Sequence, residues 1–231
     1  AIDNTRYDFT IDYAVKQASV KNGVATLSLP KPGPNGEIQG TRMSSTRLLK
    51  YGKVTMQMRA STIPGIVSTF ILMGGKLPDE YDAKSPNRKF GDEIDFEFLG
   101  QHPNIAETNV FYRNFPEFGA RLQQLKVDDI SKTHKYTIDW KPDVIDYAVD
   151  DVVLRSYRRD SPLANSPNIN PGDRFFPNRP QKIQFGLWAD PKNSWSGPLV
   201  FPPGVNEATV SYDFIDIQCY NDKGEPVDKW P

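Results

Sequence analysis

Apolar and polar residues alternate in several short runs along this sequence. Val54, Met56 and Met58 alternate with polar residues, and the pattern recurs around Ile138 and Val210. A period of two is typical of β-strands, because successive side chains of a strand point to opposite faces. The runs and the turn signals between them predict strands near 7–13, 24–29, 53–59, 65–72, 93–98, 106–113, 136–140, 144–149, 152–157, 182–188 and 208–220. Twenty prolines and sixteen glycines favour many turns and few helices.

The run 91–100 differs from the others because it is acidic and is bracketed by glycines. Three acids fall on one face of the predicted strand, namely Glu93, Asp95 and Glu97. Three large apolar residues fall on the other face, namely Ile94, Phe96 and Phe98. Acidic residues are poor strand formers, and like charges on one face repel each other. No Lys or Arg is interleaved to neutralise them, so the acids indicate a chemical role.

Cleavage of a glycosidic bond needs two carboxyl groups that flank the sugar linkage. The Cα atoms of Glu93 and Glu97 would lie about 13 Å apart, at four strand steps of roughly 3.3 Å. Side chains that lean together would bring their carboxyls to the roughly 5–5.5 Å separation of a retaining enzyme. Asp95 lies between them, where its charge would bias the pKa of a neighbour. Two alternatives stay open: a solvated polar face, and three carboxylates that bind a hard cation such as calcium.

The sequence Glu93-Ile94-Asp95-Phe96-Glu97 resembles the E-x-D-x-E signature of family 16 glycoside hydrolases. That family includes bacterial lichenases, plant xyloglucan endotransglycosylases and fungal chitin–glucan cross-linking transglycosylases. The resemblance implies that Glu93 is the nucleophile, that Asp95 assists it, and that Glu97 is the general acid/base. The spacing lacks the extra residue that laminarinases carry before the last Glu, which points to the branch that mostly cleaves β-1,4 bonds.

Four residues outside the acidic strand are candidates for binding sugar. The segment 108–111 resembles the TNVF of the xyloglucan enzymes, which implies that Asn109 and Phe111 line the donor side of the cleft. The alternative is a satisfied polar residue and a core aromatic. Sugar rings present apolar C–H faces on which a flat indole can stack, so Trp188 and Trp195 are candidate platforms. The alternative there is that one tryptophan belongs to the core.

The composition and the remaining charged residues narrow the function further. With 28 basic and 29 acidic residues the net charge is −1, and no apolar run approaches a membrane span, so neither nucleic acid nor a membrane is indicated as a partner. Cys219 is the single cysteine, which excludes an internal disulfide. The acids Glu107 and Glu117 are expected at the surface. The same holds for a basic cluster that consists of Arg155, Arg158 and Arg159.

The metal expectation rests on resemblance alone. The segment around Asp213 resembles the place where lichenases contact a structural calcium through a backbone oxygen. No cofactor is otherwise expected. The chain opens at Ala1 without a Met or a signal peptide, which suits a processed secreted protein or a shortened chain.

The length of 231 residues fits a single family 16 glycosidase-like catalytic domain over residues 1–231. The expected fold is all-β, a concanavalin A-like jelly-roll sandwich of two curved antiparallel sheets, with the acidic strand on the floor of an open cleft. The expected function is that of a retaining, endo-acting β-glucan glycosidase. It would cleave β-1,4 or mixed β-1,3/1,4 linkages of cell-wall polysaccharide by double displacement, with hydrolysis, transglycosylation or both.

Alternatives to this function exist inside and outside the family. The alternative within the family is a fungal-type chitin–glucan or xyloglucan transglycosylase. The alternatives outside the family are a non-catalytic lectin-like carbohydrate-binding domain and a calcium-binding structural β-domain. The protein is expected to be a secreted or cell-wall monomer whose partner is a β-glucan or a related polysaccharide.

Overall fold

The structure is a computed structural model, which describes residues 6–34, 36–74, 91–112, 121–165 and 174–230. The described residues form 15 strands and two short 3-10 helices, Val15–Gln17 and Pro162–Ala164. The strands are β1 Phe9–Tyr13, β2 Ala18–Lys21, β3 Val24–Pro30, β4 Thr41–Ser45, β5 Gly52–Arg59, β6 Ile66–Met73, β7 Glu93–Leu99, β8 Ile105–Phe111, β9 Gln123–Lys126, β10 His134–Trp140, β11 Val144–Val149, β12 Val152–Arg158, β13 Lys182–Ala189, β14 Glu207–Tyr220 and β15 Pro226–Val227. Neither helix, in the part of the chain that the structure describes, has the length and apolar character needed to cross a membrane.

The strands pair into two antiparallel sheets. The acid sheet, so named because it contains β7, has the order β1-β4-β13-β6-β7-β8-β9. The back sheet has the order β12-β11-β10-β5-β14-β3-β2, with β15 paired to β14. The predicted all-β fold with two antiparallel sheets is therefore confirmed. The short strands β2, β4, β9 and β15 were not predicted, because runs of two to five residues carry little periodicity.

Aromatic side chains from both sheets meet in the core between them. Phe96 and Phe98 stack with ring centroids 6.0 Å apart, although they belong to the same strand. Phe98 meets Tyr136 of the back sheet edge-on at 4.5 Å, and Phe96 meets Tyr147 edge-on at 5.3 Å. All four side chains are fully buried. The apolar face of β7 thus fixes that strand against the back sheet.

The glycines that bracket β7 are required by close backbone approach. A Cβ added at Gly100 would lie 2.0 Å from the carbonyl oxygen of Ile63, and one added at Gly91 would lie 2.4 Å from that of Gly74. Neither contact is tolerable for a real side chain. The two glycines therefore let neighbouring backbone segments close tightly around both ends of the acidic strand.

Arg155 on β12 corrects one expectation from the sequence, because it is buried and does not lie at the solvated surface. Only 5% of the residue is exposed. Its guanidinium donates to the carbonyl oxygen of Thr108 at 2.8 Å, to the hydroxyl of Thr108 at 2.7 Å and to the carbonyl oxygen of Arg121 at 2.5 Å. Arg155 thereby ties the edge of the back sheet to β8 of the acid sheet. Its predicted neighbour Arg158 is exposed, as expected.

Replacement of Arg155 by Met is expected to lower the free energy of unfolding by about 2–3 kcal/mol, because Thr108 and Arg121 would lose this buried donor. Urea denaturation followed by tryptophan fluorescence measures the change. The matched control is Arg158→Met, since Arg158 pairs with Asp160 through side chains that are 61% and 76% exposed. The control should change stability by no more than about 0.5 kcal/mol. Equal losses in the two variants would contradict the structural role of Arg155.

Candidate active site

The three acids of β7 share the face of the acid sheet that points away from the core, called the acid face below. Glu97 lies between Thr69 of β6 and Glu107 of β8, and Glu107 in turn pairs with Gln124 of β9. Asp95 lies between Ile71 and Asn109 in the next row. Glu93 lies between Met73 and Phe111 in the third row.

Burial raises the proton affinity of all three acids. Asp95 is 1% exposed, whereas Glu93 and Glu97 are half-buried. Burial raises the pKa of Asp95 to about 7, although the positive charge of Arg155 acts in the opposite direction. Burial and then the charge of Asp95 raise the pKa of Glu93 well above its usual value. Burial and then the charges of Asp95, Glu93 and Glu107 raise the pKa of Glu97 well above its usual value.

The carboxyl group of Asp95 is buried, but few protein groups stabilise its charge. The backbone N–H of Asn109 faces it and lowers its pKa. Among the described residues, however, no group completes a hydrogen bond of normal geometry with either oxygen. An unpaired buried carboxyl is costly. The three acids therefore behave as one coupled set in which a proton on one relieves the others.

Asn109 and Phe111, the two donor-side candidates, both lie on the acid face by register. Asn109 is buried, its side-chain oxygen accepts a hydrogen bond from the backbone N–H of Val110 at 2.9 Å, and its carbonyl oxygen accepts one from the hydroxyl of Tyr147 at 2.7 Å. Phe111 is half-buried at the end of β8, opposite Glu93. Their contact with sugar stays a prediction.

The two candidate tryptophans lie side by side. Trp188 on β13 and Trp195 in the following loop have ring centroids 6.1 Å apart and planes inclined by 32°. Both residues are half-buried. The indole N–H of Trp195 donates to the carboxylate of Glu107 at 2.8 Å. That bond places the ring of Trp195 beside Glu107, which is the cross-strand neighbour of Glu97.

Glu107 is the site residue that sequence reasoning missed. It was expected at the surface, but it is only 4% exposed and lies on the acid face beside Glu97. One signal was available, since Glu107, Asn109 and Phe111 alternate on β8 as the acids do on β7. The second extra acid, Glu117, lies outside the described residues.

A polar network continues the acid face toward the other edge of the sheet. Gln184 of β13 donates to the hydroxyl of Ser44 at 2.9 Å, and that hydroxyl donates to Asp12 at 2.7 Å. Arg42 of β4 donates to the same carboxylate of Asp12 at 2.6 Å. These side chains, which were not singled out from the sequence, hydrogen-bond one another across β13, β4 and β1.

Asp213 lies on β14 of the back sheet, away from the acid face. Its carboxylate accepts hydrogen bonds from Arg59 at 2.8 Å and from Gln57 at 3.1 Å, so a cation already neutralises it. The resemblance implies that a backbone oxygen contacts calcium, and these side-chain contacts do not test that implication. Calcium binding near Asp213 stays a prediction. Within the described ranges, no group of three or more His, Cys, Asp and Glu side chains could hold a metal ion.

Comparison with known proteins gives consistent matches. The family model of glycosyl hydrolases family 16 matches residues 5–203. Crh-like protein 2 of Aspergillus fumigatus is 27% identical over 218 residues, which cover 87% of this chain and 44% of the relative. Xyloglucan endotransglucosylase/hydrolase 2 of Glycine max is 30% identical over 188 residues, which cover 78% of this chain and 57% of the relative. The chain thus spans about half the length of these relatives.

Solved structures resemble the chain over nearly its whole length. A β-1,3-1,4-glucanase (lichenase) from a mouse hindgut metagenome has a TM-score of 0.71 at 21% identity and covers 97% of each chain. A Crh5 transglycosylase in complex with NAG has a TM-score of 0.68 at 23% identity, over 91% of this chain and 81% of the other. At these identities the likeness shows a shared fold. Because the family model spans β1 to β13 and the whole acid face, the chain belongs to glycosyl hydrolases family 16.

Proposed function

We propose that this chain is a retaining, endo-acting β-glucan glycosidase of cell-wall polysaccharide, specific for β-1,4 or mixed β-1,3/1,4 linkages. The observation that carries the proposal is the set of three coupled acids on the acid face, with Glu93 and Glu97 on either side of buried Asp95. Two carboxyl groups that flank a sugar bond are what glycoside cleavage requires. Long Glu side chains can bridge the strand spacing by leaning toward each other.

The charges around the two glutamates favour different roles for them. The charge of Asp95 raises the pKa of both glutamates, and the charge of Glu107 in addition raises that of Glu97. A nucleophile must be ionised, and Glu93 lies in a row with Met73 and Phe111, so that neither cross-strand neighbour is a further acid. A general acid must hold its proton, and the raised pKa of Glu97 favours that role. The electrostatic asymmetry thus supports the assignment that the sequence resemblance implies.

In the proposed mechanism the carboxylate of Glu93 attacks the anomeric carbon while Glu97 donates its proton to the departing oxygen. The bond from Glu93 to the sugar forms as the glycosidic bond breaks. Glu97, now ionised, takes a proton from a water molecule or from a sugar hydroxyl, and the resulting oxygen displaces Glu93 from the anomeric carbon. Water gives hydrolysis, and a sugar hydroxyl gives transglycosylation.

The acid face would form the floor of the substrate cleft in this proposal. Trp188 and Trp195 would stack on sugar rings, and Asn109 and Phe111 would contact the sugar beside Asp95 and Glu93. Residues 1–231 would act as one catalytic domain, and the protein would work as a secreted or cell-wall monomer. None of these steps needs a bound metal or an organic cofactor.

Transglycosylation of chitin–glucan or xyloglucan is the second candidate function. It is favoured by relatives that are named Crh-like proteins and xyloglucan endotransglucosylase/hydrolase. It is also favoured by the fold shared with a transglycosylase in complex with NAG. The chemistry at Glu93 and Glu97 is the same for both candidates, and only the acceptor differs.

Product analysis on a polysaccharide panel tests the function. Lichenan, barley glucan, xyloglucan, laminarin and chitin oligomers are incubated with and without acceptor sugars, and reducing ends and transfer products are measured. We expect mid-chain cleavage by wild type and a loss of at least about 1000-fold in Glu93→Gln. The matched control is Glu207→Gln, because Glu207 is an exposed acid on the back sheet. A wild type that binds these polysaccharides without cutting them would favour the lectin-like alternative.

The dependence of activity on pH tests the role of Glu97. Its raised pKa keeps the proton in place above the usual Glu range of about 4, so kcat/KM should fall only as pH rises past this raised value. In Glu97→Gln, an aryl glycoside with a good leaving group needs no proton and should be attacked by Glu93 without an alkaline limb in its rate of aglycone release. An alkaline limb that persists unchanged in Glu97→Gln would show that another group supplies the proton.

A further inference from the structure

We propose that Glu107 is a positioning residue of this site, which holds the indole of Trp195 beside Glu97 and places a negative charge next to that carboxyl. This inference rests on the proposed function, because it concerns the acid/base and the sugar that stacks near it. Glu107 was predicted to be a surface acid and has no role in the mechanism as derived above. Its carboxylate is hydrogen-bonded to two side chains of the site, those of Trp195 and Gln124.

Both carboxylate oxygens of Glu107 have fixed partners. One accepts the indole N–H of Trp195 at 2.8 Å, and the other accepts the side-chain amide of Gln124 at 2.9 Å. The residue is 4% exposed and pairs across the strands with Glu97, so their Cα atoms lie roughly 4.5–5.5 Å apart. A charged acceptor makes a shorter and stronger hydrogen bond than a neutral one. Glu107 is therefore a rigid, charged anchor.

The backbone of Trp195 is held independently of Glu107. Its N–H donates to the side chain of Asn193 at 3.0 Å, and its carbonyl oxygen accepts from Gln101 at 2.8 Å. The bond to Glu107 consequently controls the ring and not the loop. Since Glu97 exchanges a proton with the departing and entering oxygens, a sugar stacked on this ring belongs to the leaving or acceptor side.

Several charged groups lie around Glu97 and Glu107 on the elements packed against them. Asp95 and Glu93 act from β7, Arg155 acts on Asp95 from β12 beneath the sheet, and Lys126 lies further along β9. The β9 partner Gln124 and the indole of Trp195 are neutral. Glu107 raises the pKa of both Glu97 and Asp95. Removing its charge should therefore make Glu97 a stronger acid.

Two variants separate the charge of Glu107 from its hydrogen bond. Glu107→Gln keeps the shape and can still accept the indole N–H, but it has no charge. Trp195→Phe keeps an aromatic ring and the charge of Glu107, but it has no indole N–H. Glu207→Gln removes an exposed acid from the back sheet and serves as the control for a general loss of negative charge.

Expected results differ between the two variants. Glu107→Gln should shift the alkaline limb of the kcat/KM profile, and the NMR titration midpoint of the carboxyl carbon of Glu97, to lower pH by about half a unit or more. Trp195→Phe should leave both midpoints in place and raise the KM for the polysaccharide several-fold. Glu207→Gln should change neither quantity. A merely structural role for Glu107 would move stability without moving the midpoint of Glu97.

The outcomes separate this inference from the proposed function. If wild type cuts none of the polysaccharides, the proposed function fails and this inference fails with it. If wild type is active but Glu107→Gln leaves the midpoint of Glu97 unchanged, the charge assigned to Glu107 is wrong. If Trp195→Phe leaves the KM for the polysaccharide unchanged in an active enzyme, the positioning of Trp195 by Glu107 is wrong.

Discussion

The packing of the apolar face of β7 is the interaction on which the site depends. Burial of one large apolar side chain contributes roughly 1.5–3 kcal/mol, and Ile94, Phe96 and Phe98 are all fully buried. Keeping three acids together lowers the free energy of unfolding by about 1.4 kcal/mol for each unit by which a pKa is displaced. The aromatic contacts with Tyr136 and Tyr147 hold the strand in register, so the three acids stay together on the acid face despite their repulsion.

The strand alternation and the shared face of the three acids could be predicted because they depend on residues adjacent in sequence. A period of two assigns Glu93, Asp95 and Glu97 to one face without any knowledge of the partner strands. Glu107 and Arg155 could not be assigned in this way. Their partners lie far along the chain, 88 residues away for Trp195 and 47 for Thr108. A charged residue is buried only where distant groups satisfy it, and a single sequence does not show which groups those are.

Cross-strand neighbours also explain why Glu93 and Glu97, two identical side chains on one strand, have different electrostatic surroundings. Glu93 has Phe111 and Met73 beside it, whereas Glu97 has Glu107 and Thr69. The extra carboxylate raises the pKa of Glu97, while Arg155 favours the ionised form of Asp95 from beneath the sheet. The motif supplies two chemically equivalent carboxyls, and the neighbouring strands distinguish them. In the proposed mechanism, this difference in surroundings separates the general acid from the nucleophile.

The charges of the proposed mechanism fall into two groups that behave differently during a turnover. Those of Glu107 and Arg155 are fixed by hydrogen bonds and persist throughout. The charge of Glu93 disappears when its carboxylate becomes bonded to the sugar, and it then no longer raises the pKa of Glu97. Glu97 accordingly changes from a proton donor in the first step to a base in the second. The fixed charge of Glu107 limits how far that pKa falls, so Glu97 remains basic enough to take a proton from the incoming acceptor.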